Sequence, residues 1–128
     1  MKPSDWSSSA RSQKVLSRLQ QICGRLPETE QATDKFGHIS FRVRDKPFVI
    51  LGEDQGKPSL SIKADLTTQD ALVRAGRFYR TAYIGQHGWI TLRDDVRADW
   101  KEIEDLINDA YRRIAPKRAA RESGTTDD

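Results

Sequence analysis

The sequence predicts an α+β domain, a mostly antiparallel sheet flanked by an amphipathic helix near each end. Three observations carry this. Apolar residues recur at helical spacing in a segment near the start, Val15, Leu19, Ile22, Cys23 and Leu26, and again near the end, Trp100, Ile103, Leu106, Ile107, Ala110, Tyr111 and Ile114. Between them the period switches to two, as in Ile39, Phe41 and Val43 against His38, Ser40, Arg42 and Arg44. Pro and Gly clusters punctuate the middle at hairpin intervals.

In chain order, residues 1–9 are polar and Ser-rich and read as a disordered arm, followed by a folded domain over 10–115 and a polar tail over 116–128. The first helix is expected from Ala10 to Leu26, stopped by Pro27. Its polar side carries Arg11, Lys14, Arg18 and Arg25 and no acidic residue, so Arg11, Lys14 and Arg18 fall on adjacent turns of one face. Glu28, Glu30 and Asp34 mark an acidic loop leading to a short edge strand. His38 to Arg44 is a half-buried strand with a basic outer face, and Asp45-Lys46-Pro47 a turn. Phe48 to Leu51 is a short apolar run expected at the sheet's centre. Gly52 to Pro58 reads as a loop, and Ser59 to Lys63 alternates again, with Leu60 and Ile62 inward and Ser61 and Lys63 outward.

Thr67 or Thr68 is positioned to cap a short helix ending at Gly76. Around its end, Arg74, Arg77 and Arg80 cluster around Phe78 and Tyr79. Ala82–Tyr83 is a candidate short strand, Gly85 to Gly88 a turn, and Trp89 to Leu92 the last strand. The final helix starts at Ala98 or Asp99 and ends at Ile114. Acidic residues crowd its start and Arg112 and Arg113 its end, which complements the helix dipole.

Composition bounds the function classes. With 128 residues there is room for one domain. No apolar run approaches the roughly 18 residues of a membrane span, and the N-terminal segment lacks the apolar centre of a signal peptide. The lone Cys23 can form no internal disulfide, which favours a reducing, cytoplasmic setting. A net charge of +3 permits a polyanionic partner without demanding one.

The order of these elements resembles the MmcQ/YjbR family of small bacterial proteins over about Val15 to Ile114. The residues that carry the resemblance are Leu26-Pro27-Glu28-Thr29, the Phe41-to-Leu51 hairpin with Lys46 at its turn, Leu60-Ser61-Ile62-Lys63, Gly88-Trp89-Ile90, and Tyr111 in the final helix. Ala110 stands where the family usually has Ser, and Gly88 where it often has a bulkier or polar residue. The resemblance implies a CyaY-like fold, with about five or six strands and the N- and C-terminal helices packed on one face. It also implies DNA binding through a "double wing" surface.

On that reading the nucleic-acid-binding residues are Arg42, Arg44, Lys46, Lys63, Arg74, Arg77 and Arg80, which would meet phosphates and release counterions. Outward Ser40 and Ser61 would let a backbone approach and donate to it. The competing reading is a wet sheet face that simply carries charge, or an adaptor that binds protein. Tyr79, Tyr83 and Trp89 are the aromatic candidates for stacking on a base, with Trp89 also suited to the core's edge. No metal and no cofactor is expected, because Cys23, His38 and His87 share no ligand spacing. No catalytic motif is present, so no enzyme activity is expected.

Overall fold

The protein's structure, a computed structural model, describes residues 10–116. The expected arm at 1–9 and the tail from residue 117 lie outside the described residues. The elements run α1 (Ala10–Cys23), β1 (Thr29–Thr33), β2 (Ile39–Val43), β3 (Lys46–Asp54), β4 (Lys57–Lys63), α2 (Leu66–Ala75), β5 (Phe78–Arg80), β6 (Trp89–Leu92) and α3 (Trp100–Ile114). The six strands form one antiparallel sheet in the order β1-β2-β3-β4-β6-β5. This is the α+β architecture expected.

The core lies between the sheet and the helices α1 and α3. Leu19, Ile22 and Cys23 of α1 and Ile103, Leu106, Ile107 and Tyr111 of α3 are buried against Ile39, Phe41, Val43, Val49, Leu51, Leu60, Ile62 and Ile90 of the strands. Each fully buried aliphatic or aromatic side chain contributes about 1.5–3 kcal/mol, so the two helix stripes bind the layers together. One irregularity sharpens this core. The β2–β3 register slips between Phe41 and Arg42, because Phe41 pairs with Val49 but Arg42 with Pro47. The extra residue, Phe48, is fully buried beside Val49 and meets the Tyr111 ring edge-on at 5.9 Å. Tyr111 also donates its hydroxyl proton to the Pro27 carbonyl at 2.8 Å, tying α3 to the α1–β1 connection.

Several boundaries differ from expectation. The first helix stops at Cys23, not Leu26, because the amides of Arg25 and Leu26 turn to the carbonyls three residues back, a tighter winding that ends the helix before Pro27. The acidic stretch after Pro27 is not a loop: Glu30 lies within edge strand β1, paired with Arg42. Gly52 to Pro58 is likewise mostly strand. The β3–β4 connection needs only Gln55 and Gly56, both at positive φ, and this tight turn lets the ladder continue to Asp54–Lys57. The α2 cap is Asp65 and not a threonine; its carboxylate accepts the Thr68 amide at 2.6 Å. Gly76, at φ 91°, closes that helix as expected. The short strand expected at Ala82–Tyr83 falls instead at Phe78–Arg80, where Phe78 is buried in the core opposite Leu92. Ala82 to Ile84 form a three-residue turn with Tyr83 at φ 67°.

Candidate nucleic-acid interface

Strand alternation separates the sheet's two faces. The row Phe41–Val49–Ile62–Ile90 faces the helices. The neighbouring row, Ala32–Ser40–Ile50–Ser61–Thr91–Tyr79, faces the other way. One step further along this outer face, Arg42 pairs with Pro47 on β3 and Lys63 with Trp89 on β6. Arg44 and Asp45, both at positive φ, form the two-residue turn that returns the chain as Lys46. Arg42 and Lys63 therefore share one end of the outer face, with Arg44 at the adjoining turn, whereas Lys46 pairs with Val43 of the helix-facing set and so falls on the other side.

Two of these cations are held in place. Arg42 donates from Nε to Ser40 Oγ at 3.0 Å and from Nη1 to the Asp45 carbonyl at 3.3 Å. Lys63 Nζ donates to the His87 carbonyl at 2.8 Å. The turn carrying that carbonyl is fixed from behind by Gln69 of α2, whose amide nitrogen donates to Gly85 O at 2.7 Å and Trp89 O at 2.9 Å. Gln69 is only 1% exposed. Sequence reasoning placed it in the helix without assigning it a role; a polar residue three positions before Leu72, on the same helix face, was the available signal.

Arg42 also faces the Asp45 carboxylate at 3.7 Å, and the opposite end of the outer face is neutralised more fully. Lys57 pairs with Asp94 at 3.7 Å, and Arg93 holds Asp95 with two hydrogen bonds of 3.0 and 2.9 Å. The hydrogen bond from Arg93 keeps the Asp95 carboxyl below its ordinary range. An open cavity of about 310 Å³ lies there, with Lys57, Tyr79, Arg93 and Asp94 in its wall.

The other expected basic residues do not join this cluster. Arg77 bridges the sheet to α3, with its guanidinium on Glu102 at 3.1 Å and on the Arg97 carbonyl at 2.7 Å. Arg74 pairs with Asp70 one turn earlier on α2. Arg80 is exposed, but its partner Ile90 belongs to the helix-facing row. The reason is parity and chain path: the three arginines lie on a helix, a connection and a strand position of opposite facing.

The small residues also differ from expectation. Ser40 and Ser61 lie on the outer face, but both are buried, so neither leaves an open approach for a backbone. The Ser61 hydroxyl joins Thr91 at 2.9 Å, and Thr91 joins Thr81 at 2.9 Å, a hydroxyl ladder across β4 and β6. Among the aromatic candidates, Trp89 is 5% exposed and its ring is not presented for stacking. Tyr79 is 46% and Tyr83 96% exposed. His38 pairs with Asp34 at 3.1 Å near the β1–β2 turn, far along the sheet from His87, while Cys23 lies in the core. Among the described residues no helix is long and apolar enough to cross a membrane.

A model of the family described as YjbR matches residues 24–113. The crystal structure of Deinococcus radiodurans protein DR2400, described with a DUF419 domain, superposes with a TM-score of 0.70 at 18% identity, covering 85% of this chain and 87% of that one. At that identity the likeness concerns the fold. No curated protein matches the sequence.

Proposed function

The chain belongs to the YjbR family, and from that premise we propose that it is a non-catalytic, cytoplasmic nucleic-acid-binding module that engages duplex DNA with the basic end of its open sheet face. The observation that carries the proposal is that Arg42 and Lys63 share one end of the outer face, with Arg44 at the turn beside them. Arg42 and Lys63 are pre-positioned by hydrogen bonds to Ser40, Asp45 and His87, which lowers the side-chain entropy lost when a phosphate arrives. Their remaining N–H groups supply charge-assisted donors. Among the described residues no base-reading element accompanies them, so the expected contact is with the backbone and shows little sequence preference.

Fluorescence anisotropy with a labelled duplex at several salt concentrations tests this. Three phosphate contacts give a log–log salt slope of about −2.7, so affinity falls roughly 40-fold between about 50 and 200 mM salt. Reversing two cations with Arg42→Glu and Lys63→Glu should weaken binding at least about tenfold and flatten the slope by about 2. No binding at low salt, or a slope unchanged by the double substitution, overturns the proposal.

A further inference from the structure

On the helix side of the molecule, we propose a second docking surface, a groove between α1 and α3 that takes an acidic, amphipathic helical segment of a partner protein. The groove is centred on Trp100, the first residue of α3, which is only half-buried. Three adjoining cavities of about 110, 480 and 210 Å³ all include Trp100 in their walls and run from the β4–β6 end of the seam to Gln21. Val15, Leu60, Leu92 and Ala98 complete an apolar floor.

One wall of this groove is basic without interruption. No acidic residue occurs in α1, and Arg11, Lys14 and Arg18 are exposed along it. Among the described residues none of these three has an ion-pair partner, whereas Arg25 beyond them is paired with Glu104 at 3.4 Å. Arg11 to Arg18 spans seven residues, about 10 Å or two helical turns. A partner helix with carboxylates at matching i, i+3 or i+4, and i+7 positions meets all three cations while its apolar side chains enter the Val15–Trp100 floor.

The same geometry disfavours nucleic acid here. The Arg18 guanidinium lies 5.0 Å from the centroid of the Trp100 ring, so that face of the indole is already covered and offers no stacking platform. The floor is apolar, and only the α1 wall is uniformly basic. A carboxylate helix with aliphatic anchors satisfies both features; a sugar–phosphate backbone satisfies one. The helices cover the face of the sheet opposite Arg42 and Lys63, so this surface is independent of the proposed DNA interface.

The probe is a labelled peptide of about sixteen residues with Glu along one flank of a Leu-rich helical face, compared with the same peptide carrying Gln for every Glu. Two-dimensional NMR of the full chain should show saturable shifts at the Trp100 indole N–H, assigned with Trp100→Phe, and at the Val15 methyls. The Gln peptide should bind at least about tenfold more weakly, as should the acidic peptide to the triple variant Arg11→Glu, Lys14→Glu, Arg18→Glu. These positions are exposed, and the melting temperature checks that the variant folds; Lys14→Glu alone, with a smaller loss in the same direction, serves if it does not. Arg42→Glu/Lys63→Glu should leave peptide binding unchanged. Absence of saturable shifts at about millimolar peptide overturns the proposal, as do shifts confined to the outer sheet face or displacement of the peptide from Trp100 by duplex DNA.

Discussion

Replacing Gln69 with Leu removes a side chain that sequence reasoning left without a role and that the tertiary structure makes central. The amide of Gln69 donates to two backbone carbonyls, Gly85 O and Trp89 O, in a site from which water is excluded. Leu fills a similar volume but donates nothing. Each carbonyl keeps a backbone donor, Gly88 N on Gly85 O at 3.0 Å and Thr81 N on Trp89 O at 3.2 Å, so each lost hydrogen bond costs about 0.5–1.5 kcal/mol. The greater apolarity of Leu returns about 1 kcal/mol. The expected net loss is about 1 kcal/mol, at most about 2, a drop in melting temperature on the order of 5 °C for a domain of this size. Urea unfolding followed by tryptophan fluorescence and far-UV circular dichroism reads it directly. The midpoint should fall with the slope unchanged, because the exposed surface is the same. A companion substitution isolates the donor. In Gln69→Glu the new carboxylate faces two carbonyl oxygens and donates only when protonated, so its folded-state pKa lies above the unfolded value near about 4.3. A raised folded pKa gives stability that is fully present below the unfolded pKa and is lost as pH rises through the folded one. The deficit of Gln69→Glu against wild type should therefore be largest at neutral pH and shrink on acidification. A Gln69→Leu variant at least as stable as wild type would refute the reasoning, since it would mean the Gln69 amide adds nothing to the backbone donors these carbonyls already have.

Gly88→Ala should be more damaging than an ordinary turn substitution. The residue sits at φ 98°, and a Cβ there would run into the Ala64 carbonyl, where the two backbones are joined by a hydrogen bond from Ala64 N to Gly88 O of 3.1 Å; we expect a loss of at least about 2 kcal/mol in urea unfolding. Asp65→Ala should remove the α2 cap and cost about 1 kcal/mol at neutral pH. The Thr68 amide holds the Asp65 carboxyl below its ordinary range, so this contribution is present above the unfolded pKa and lost as pH falls through the folded one; the gap between wild type and Asp65→Ala should narrow below about pH 4, measured by thermal melts across pH. Cys23 is buried in the core and burial pushes its thiol pKa up to about 12, so a thiol-reactive chromophore should label it only in denaturant; rapid labelling of the native protein would contradict the α1 packing.

The elements most legible in the sequence were those in which one face is apolar and the other wet. α3 is the clearest case: Trp100, Ile103, Leu106, Ile107, Ala110 and Tyr111 announce its face, and Asp99 caps it with hydrogen bonds to the amides of Lys101 and Glu102. β2 and β4 were legible for the same reason at period two. Elements held by backbone geometry were less so. The Arg44–Asp45 and Gln55–Gly56 turns lengthen β3 and β4 well past their apolar centres, and the polar residues of those extensions carry no burial signal. Strand β5 depends on pairing with β6, a partner that follows it in the chain, so its short local pattern could not fix its position.

The candidate interface divides in the same way. Composition and alternation by themselves placed Arg42, Ser40, Ser61 and Lys63 on an outer face and made the first helix basic, because residue type and period depend only on the local chain. Whether cations distant in sequence share a surface depends on register and packing, which are long-range. Those decided that Lys63 joins Arg42 beside the Arg44 turn while Lys46 falls on the helix side, that Arg77 is bound to Glu102 of α3, and that Trp89 is sheltered. They also decided what no local pattern holds: a glutamine on α2 fixing the turn that receives Lys63, and a tryptophan of α3 lying beneath an arginine of α1. A side chain's type is written in the sequence, but the partner that gives it a role is fixed only when segments remote in the chain pack together.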